Sequence, residues 1–469
     1  MSCASLPDFL SQGEVSRLFP ILSNTSKEGR TASITLACIS RIDELGRALL
    51  SSAGNRVGVR ARIDTYSEIV PVNLKGDMRD RPDGLIVLRI GPREWKAFVE
   101  AKIGGSRIET DQIERYRALA KANGVDCVIT ISNQFATSPT SHPVEGIRNS
   151  RSTIPVVHWS WMFILTTAEL LYQQDRITDD SQKVLLNEFR RFLAHESAGV
   201  RGFTRMPKEW TLLNRLISTG GEIDMGSNDA VEVVSAWHQE TRDLSLILTR
   251  LTETPVTVKI GRTQRDRPSQ RIKEDLLLLQ REKQLRTSFS IPDAAGTVDV
   301  IADLARRCVD VGMTLRAPQN KKSTSARLNW LIRQIKSSDF SDLYVRIHWP
   351  GKNVATQYLA QDLMEDVSLA NPDNKHLAPS RFNLFISKRL GGKFIQQSKF
   401  IDELENLVPA YYRQFGSKLV AWKKPAPTLR EDVTDTEDVS TGAISVDADA
   451  DALGPVDSER QGTLALTSQ

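Results

Sequence analysis

The sequence predicts an α/β protein with three parts: an N-terminal mixed sheet flanked by helices, a C-terminal α/β or α+β domain, and a disordered acidic tail. Short apolar runs rich in β-branched residues alternate with amphipathic helical segments along most of the 469-residue chain. The Gly- and Arg-rich segment GVRGFTRMP at 199–207 is typical of a linker. We therefore expect domains at residues 1–200 and 201–422, followed by a tail at 423–469.

The composition is that of an ordinary globular protein, with 40% hydrophobic and 26% charged residues. No run of about 18 apolar residues occurs, so we expect no transmembrane helix and no membrane partner. The N-terminus has no basic segment followed by an apolar one, which argues against a secretory signal. Cys3, Cys38, Cys127 and Cys308 lie too far apart for a zinc spacing or a disulfide framework. These features predict a cytoplasmic protein.

The charge is unevenly distributed along the chain. From Glu431 to Gln469, ten acidic residues face Arg460 alone, which gives a charge of −9. The whole chain carries +4, so the preceding 430 residues carry +13. A basic body of this kind is compatible with a polyanion partner such as DNA. From Lys423 onwards, Pro, Ser, Thr, Asp and Ala dominate, which predicts disorder.

The first elements that the sequence predicts are a helix and a strand. Apolar residues recur at helical spacing over Ser33–Leu50, and Gly54 follows as a stop signal. The apolar stretch Arg56–Tyr66 then predicts a strand. Glu44 in the helix and Glu68 just beyond the strand are two acidic residues that we consider again below.

A β-hairpin is predicted next. The apolar runs Gly84–Ile90 and Trp95–Ile103 flank a turn-forming tetrapeptide, Gly91-Pro92-Arg93-Glu94. Since side chains alternate across a strand, Glu100 and Lys102 share one face.

The register of this hairpin decides which side chains meet. A symmetric turn places Ile90 opposite Trp95, and hence Asp83 opposite Lys102 and diagonal to Glu100. Such neighbours have Cβ separations of roughly 5 and 7–8 Å. Two carboxylates and a lysine are thus expected to converge at one end of the hairpin.

A helix and a buried strand follow the hairpin. Thr110 is a suitable N-cap, and Asn123-Gly124 is a typical helix end. Gln112 and Tyr116 are four residues apart, so they project from one helical face. The apolar run Val125–Ser132 fits a buried strand.

The chemistry of this set points to a metal ion. Two carboxylates a few ångströms apart repel each other unless a cation lies between them. Hard oxygen ligands with open water positions suit Mg²⁺ or Mn²⁺. Such an ion activates water and orients phosphate, and a nearby lysine stabilises the developing charge. The combination is suited to phosphodiester hydrolysis.

At these residues the chain resembles the PD-(D/E)xK nuclease superfamily, with its restriction-endonuclease-like fold. Pro82-Asp83 and Glu100-Ala101-Lys102 match its motif, and Gln112 with Tyr116 is similar to the Q-xxx-Y helix motif of the RecB-type branch. The resemblance covers about the first 165 residues. It implies that Asp83, Glu100 and the Ala101 carbonyl bind metal, and that Lys102 is the catalytic lysine. It also implies that Gln112 and Tyr116 steady the lysine or the DNA backbone.

An additional acidic ligand remains open. Many members of the superfamily carry an acidic residue on the first helix near the metal, which makes Glu44 a candidate, although it could equally be a solvated helix charge. Glu68 is the competing candidate.

Further elements complete the first domain. A strand at Ile154–Trp161 is followed by helices at Met162–Gln173 and Asp179–His195. His158 lies among apolar neighbours in the strand, and we interpret it as a core or edge histidine rather than a catalytic one.

The second domain shows alternating strand and helix patterns but no chemical motif. Val231–His238 and Leu244–Leu251 are ambiguous between strand and helix. Val298–Cys308 and Ala355–Asp366 are predicted to be helices. Leu390-Gly-Gly-Lys393 is not a phosphate loop, because the upstream glycine and the Ser or Thr after the lysine are missing.

Two basic segments in this domain could contact a nucleic-acid backbone. One contains Arg262, Arg265 and Arg271, and the other contains Lys321 and Lys322. A solvated helix face is the alternative for the first segment. The domain is a candidate for target recognition or for self-association into a homo-oligomer.

Taken with the resemblance, the sequence predicts a cytoplasmic, Mg²⁺-dependent deoxyribonuclease, with Mn²⁺ as a possible substitute. A role in defence against foreign DNA or in DNA repair follows from the resemblance only. One alternative is a catalytically inactive sensor or scaffold of the same fold that binds DNA. Another is an unrelated protein-interaction module, which would show no salt-dependent DNA binding.

Overall fold

The computed structural model describes residues 6–19, 27–72, 81–136, 142–148, 150–266, 268–335, 342–370 and 377–424. The chain is a mixed α/β protein, 45% helical and 23% strand, as the sequence predicts. The tail was predicted to be disordered from residue 423, and its residues from 425 onwards lie outside the described part of the chain. None of the described helices is long and apolar enough to cross a membrane.

The N-terminal half contains one mixed sheet and its helices. Its elements are β1 (Leu10–Val15), α1 (Lys27–Arg41), α2 (Asp43–Ser52), β2 (Arg62–Pro71), β3 (Gly84–Ile90), β4 (Arg93–Ala101), α3 (Thr110–Ala122), β5 (Cys127–Ser132), α4 (Glu145–Arg148), β6 (Val156–Ser160), α5 (Trp161–Gln173) and α6 (Asp180–Ala194). The six strands lie in chain order in the sheet. Strands β1 to β4 pair antiparallel, whereas β4, β5 and β6 pair parallel.

Each face of this sheet has its own hydrophobic core, as the alternation along the strands requires. Val99, Ile129 and Trp159 pack with α1, α2, α5 and α6 on one face. Phe98 and Val128 pack with α3 on the other face. Glu100 and Lys102 have the parity of Phe98, so they belong to the α3 side of the sheet.

The loop of the hairpin is two residues shorter than the sequence suggested. Ile90 pairs with Arg93, not with Trp95, so the turn contains only Gly91 and Pro92. Gly91 has φ +58°, and a positive φ at the first loop position is what a two-residue hairpin needs. The register is therefore shifted by two residues, which keeps every side chain on its predicted face.

The first helix is divided. The sequence predicted one helix over Ser33–Leu50, whereas the structure has α1 and α2 joined at Ile42, which is extended with φ −113° and ψ 98°. Ile42 is completely buried in the core shared with α5 and α6. The bend lets both helices bury their apolar faces against the same side of the sheet.

The C-terminal half contains a second sheet. Its elements are α7 (Lys208–Ser218), α8 (Asn228–Thr252), β7 (Thr257–Val258), α9 (Arg262–Asp266), α10 (Pro268–Glu282), β8 (Gln284–Ser290), β9 (Val298–Asp303), β10 (Cys308–Arg316), α11 (Thr324–Ile335), β11 (Leu343–His348), β12 (Thr356–Leu359), α12 (Ala360–Glu365), β13 (Arg381–Arg389) and α13 (Gln397–Gln414). The strand order is β12-β11-β13-β10-β9-β8-β7, and every pair is antiparallel. This half is therefore of the α+β type.

Two predictions in this half need correction, and one ambiguity is resolved. Val298–Cys308 was expected to be a helix, but Val298, Val300 and Ala302 alternate into the core and form β9. Ala355–Asp366 divides into β12 and the short helix α12. The two segments that were ambiguous between strand and helix are both part of the single helix α8.

The cores of the two halves are separate in sequence. The core around the second sheet begins at Met206, and the buried residues of the N-terminal cores end at Leu193. Residues 1–424 nevertheless form one compact unit. Arg250 of α8 donates to Thr166 Oγ1 of α5 at 2.7 Å, one of the contacts that join the halves. A domain boundary near residue 200 stays a prediction.

Candidate active site

The site lies where β3 begins and β4 ends. Asp83 directly precedes β3, and the pairing of Gly84 with Val99 places it level with Glu100 rather than with Lys102. Asp83 Oδ2 accepts a hydrogen bond from the Ala101 N–H at 2.8 Å. The revised register thus brings the two carboxylates closer together than the symmetric turn would have done, with Ala101 adjacent to both.

Lys102 is held between two glutamates. Its Nζ lies 2.7 Å from Glu100 Oε1 and 3.0 Å from Glu28 Oε1. The lysine backbone is fixed as well, since its N–H donates to Ile131 O at 2.8 Å and its carbonyl accepts from Trp161 Nε1 at 2.8 Å. The Lys102 side chain is 19% exposed, so it is not sealed off from solvent.

Helix α3 lies beside the site and contacts it through two side chains. Gln112 Nε2 donates to Glu100 Oε1 at 2.8 Å and to the Tyr116 hydroxyl at 2.9 Å. That hydroxyl donates to Arg81 O at 3.0 Å. The predicted pairing of Gln112 with Tyr116 on one helical face is therefore present. Their contacts run to Glu100 and to the segment before Asp83, whereas the resemblance implied contacts to the lysine or the DNA.

The site holds more carboxyl groups than ammonium groups. Burial raises the pKa of Asp83, and the charge of Glu100 raises it further. Burial also raises the pKa of Glu100. Burial alone would lower the pKa of Lys102, but the charges of Glu100 and Asp83 outweigh it and raise that pKa. Lys102 is therefore a stable ammonium, and one positive charge faces the carboxylates of Asp83, Glu100 and Glu28.

The donor set fits a small divalent cation. Asp83 and Glu100 supply carboxylate oxygens and Ala101 a backbone carbonyl, the ligand types that Mg²⁺ and Mn²⁺ prefer. A cation would also favour the ionised forms of both acids, whose pKa values burial raises. Within the described ranges, no cluster of three or more His, Cys, Asp and Glu side chains is arranged to hold a metal. Two carboxylates would therefore need the backbone carbonyl and water to complete the coordination.

Glu28 is the site residue that sequence reasoning missed. It lies in the first turn of α1, where its Oε2 also accepts from the Ile103 N–H at 3.3 Å. An acidic residue at the start of an apolar-periodic helix was the only available signal, because it marks a first turn. Nothing local connects Glu28 to Lys102, which is 74 residues away.

Glu44 and Glu68 have other partners. Glu44 in α2 accepts from Arg47 at 2.7 Å, and among the described contacts it has none with Asp83, Glu100 or Lys102. The structure therefore does not bring Glu44 to the site. Glu68 accepts from Arg81 at 2.8 Å and has a φ of +52°, in a stretch where β1 and β2 change register.

A chain of polar groups continues the row from Glu100 across the sheet. Glu100 pairs with Thr130, and Thr130 with His158. The Thr130 hydroxyl lies 2.8 Å from His158 Nδ1 and 3.0 Å from His142 Nε2, while His158 Nε2 lies 2.9 Å from Gln134 O. Burial lowers the pKa of His158 to about 4, so the ring is neutral. These contacts agree with a hydrogen-bonded core histidine.

The basic candidates of the C-terminal half differ in exposure. Arg271 is 7% exposed, lies 3.8 Å from Asp275 and has a pKa lowered by burial, so it is not a free phosphate ligand. Arg262 is exposed at the start of α9, which also contains Arg265. Lys322 is exposed and Lys321 half-buried in the loop after β10.

No protein-family model matches the chain, and neither a curated protein nor a solved structure is similar enough to count as a match.

Proposed function

We propose that the protein is a Mg²⁺-dependent nuclease that hydrolyses phosphodiester bonds of DNA. The observation that carries the proposal is the convergence of Asp83, Glu100 and Lys102 at one end of the β3–β4 pair, with two acidic side chains and a backbone carbonyl beside one ammonium. The resemblance to the PD-(D/E)xK superfamily supports the same reaction. Mn²⁺ as a substitute metal, DNA as substrate, a cytoplasmic location and a place in defence or repair belong to this proposal.

The residues of the site have different roles in this proposal. Asp83, Glu100 and the Ala101 carbonyl would hold the ion, which when bound lowers the pKa of a water and stabilises charge on the phosphate. Lys102, fixed by Glu28 and Glu100, places a permanent positive charge beside the scissile phosphate. With its ammonium 2.7 Å from Glu100 and 3.0 Å from Glu28, Lys102 is placed to act as a cation and hydrogen-bond donor. Gln112 and Tyr116 hold Glu100 and the Arg81 carbonyl in position.

The test is cleavage of linear, circular and single-stranded DNA with Mg²⁺ or Mn²⁺. We expect Lys102→Ala and Asp83→Ala each to reduce the rate by about 10²- to 10³-fold, the usual effect of removing a group that stabilises a charged transition state. Lys96→Ala is the matched control, because Lys96 lies on the same strand and its ammonium pairs with Glu94 at 3.6 Å, away from the site. Its rate should equal that of the wild type.

Two results would contradict the proposal. Equal cleavage by wild type and Lys102→Ala would show that the activity comes from another site or from a contaminant. DNA binding that is independent of metal and of Lys102, without cleavage, would favour the inactive sensor or scaffold.

A further inference from the structure

The second sheet has one face that does not contribute to its core. Val345, Leu384 and Met313 point into the core, so the alternating residues on the same strands lie on the opposite face. Register groups these into rows. The first contains Tyr344, Phe385 and Gly312, the second Arg346, Asn383 and Thr314, and the third His348, Arg381 and Arg316.

Aromatic and guanidinium planes lie together in the first two rows. The rings of Tyr344 and Phe385 stack with centroids 5.6 Å apart at an angle of 25°. The Arg346 guanidinium lies 4.8 Å from the Phe385 centroid and donates to Gln357 Oε1 at 3.0 Å. Phe385 packs closely on Gly312, where an added Cβ would come within 2.5 Å of the Phe385 Cβ. Tyr344 and Arg346 remain half-buried, so their outer surfaces face solvent.

The third row makes this end of the face positive. Arg316 and Arg381 pair directly across β10 and β13, and both are exposed. Burial lowers the pKa of the adjacent His348, and the charges of Arg381 and Arg346 lower it further, as expected for a group in a positive field.

The loop with Lys321 and Lys322 lies at the same end. Arg327 donates to Lys321 O at 2.7 Å and to Pro379 O at 2.6 Å, which ties this loop to the segment before β13. The Ala317 N–H donates to Ser380 O at 3.1 Å and closes the connection. Two further cations therefore lie in a loop next to the third row.

The other end of the same face has charges of both signs. Asp303 and Asp310 lie there with the exposed Arg389, and Asp310 is 3.6 Å from Arg306. Asp299 lies in the first row, opposite Gly312. The second and third rows, with Arg346, Arg381 and Arg316, are therefore the part of the face where positive charge is concentrated.

We propose that this end of the face, formed by Tyr344, Arg346, Arg381 and Arg316, binds single-stranded nucleic acid. Unpaired bases stack on the Tyr344 ring and the Arg346 guanidinium, and the arginines with Lys321 and Lys322 contact phosphates. A duplex would not use the same surface, because its bases are already stacked on each other. The site is distinct from the Asp83–Glu100–Lys102 centre and does not require it to cleave DNA.

The test is binding of fluorescein-labelled oligothymidylate to the full chain in EDTA, measured by anisotropy over a range of salt concentrations. Arg381→Glu should weaken binding at least tenfold and reduce the slope of log K against log salt by about 0.7 for each phosphate that the variant no longer binds. Arg389→Glu is the matched control, because Arg389 is exposed on the same strand and face but lies opposite Cys308, at the other end of the strand. It should bind as the wild type does.

Two variants of Tyr344 test the contribution of base stacking. Tyr344→Ala should weaken binding about tenfold with little change in the salt slope, whereas Tyr344→Phe should retain it, because only the ring is needed. Equal weakening by Arg381→Glu and Arg389→Glu would overturn the proposal. So would an unlabelled duplex that competes as well as the unlabelled oligothymidylate, or the absence of binding.

These outcomes are separable from those of the nuclease. Lys102→Ala should bind oligothymidylate in EDTA as tightly as the wild type, and weaker binding by this variant would place the contact at the N-terminal site. Conversely, a protein that cleaves DNA with Mg²⁺ but shows no dependence on Tyr344 or Arg381 would keep the nuclease and exclude the second surface.

Discussion

At the scale of single residues, the most informative contact is the one between Lys102 and Glu28. A lysine with a single buried carboxylate partner could rotate away from it, whereas two carboxylates, at 2.7 and 3.0 Å, define the direction of the ammonium. Glu28 also accepts a hydrogen bond from the Ile103 N–H. It therefore contacts both the Lys102 ammonium and the backbone that directly follows Lys102. We therefore interpret Glu28 as a positioning residue.

The exchange of Glu28→Gln tests this interpretation. If the protein is a nuclease, removal of the second carboxylate should lower its rate by about 10- to 100-fold, the effect typical of residues that orient a catalytic group. The matched control is Glu44→Gln, since Glu44 pairs with Arg47 and makes no described contact with the site. Its rate should stay unchanged.

A second measurement separates positioning from folding. The thermal midpoint of Glu28→Gln should stay within a few degrees of the wild type, and Mg²⁺ should still bind. Equal rate reductions for Glu28→Gln and Glu44→Gln would contradict this interpretation. They would favour a role for Glu44, the acidic residue that the sequence analysis suggested.

At the scale of elements, the division between α1 and α2 determines what reaches the site. Helix α1 begins at Lys27, which brings Glu28 to the end of β4. The bend at Ile42 then directs α2 with Glu44 along a different path. Gly46 makes this close approach possible, because a Cβ there would lie 2.3 Å from Ile39 O of the preceding helix.

Gly46→Ala should therefore destabilise the fold although alanine is the better helix former. The clash involves a backbone oxygen, which cannot rotate away, and overpacking of this kind costs about 1–3 kcal/mol. Urea unfolding measures the effect. Gly58→Ala is the control, since no described atom lies within 4 Å of the added Cβ and Gly58 has no positive φ. A Gly46→Ala protein as stable as the wild type would show that α1 and α2 can separate freely.

At the scale of the whole molecule, the two halves meet around buried charges. Glu240 on α8 is completely buried, and within the described part of the chain neither of its carboxylate oxygens has a hydrogen-bond partner. Burial raises its pKa well above the ordinary value, and the charges of Asp243 and Glu405 raise it further. Burial likewise raises the pKa of Asp243 to about 6 and that of Glu405 to about 7. Arg250 partly offsets this by lowering both pKa values.

These shifts predict a pH dependence of stability. A carboxyl whose pKa is raised by folding keeps its proton up to a higher pH in the folded state than in the unfolded state. Its contribution is therefore complete below the unfolded pKa of about 4 and is lost as pH rises through the folded pKa. For Asp243 and Glu405 the decline falls between about pH 4 and 7. From this cluster we expect a lower free energy of unfolding at pH 8 than at pH 5.

Glu240→Gln should remove part of this dependence. The amide has the same shape and cannot ionise, so the variant should be more stable than the wild type at pH 8 and differ little from it at pH 5. Glu232→Gln, at an exposed position of the same helix, is the control and should change nothing at either pH. A wild-type stability that is flat from pH 5 to 8, with Glu240→Gln parallel to it, would contradict the expectation.

Much of the N-terminal half could be predicted because its signals are local. The two strands of the hairpin, the helix with Gln112 and Tyr116, and the buried strand β5 all appear close to their predicted bounds. The Thr110 N-cap was one residue late, since Glu109 occupies that position. Helix and strand were confused at Val298–Cys308, where Val, Ile and Ala fit either period and only pairing with β8 and β10 decides between them.

The sequence by itself determined that Asp83, Glu100 and Lys102 share one face. The alternation of side chains has a period of two, and a register error of two residues leaves each face unchanged. Only the tertiary structure decided which distant groups meet them: that Glu28 rather than Glu44 reaches Lys102, and that Arg271 is buried beside Asp275. The physical reason is that such contacts depend on where a helix bends and which surface it covers, and these follow from packing between segments far apart in the chain.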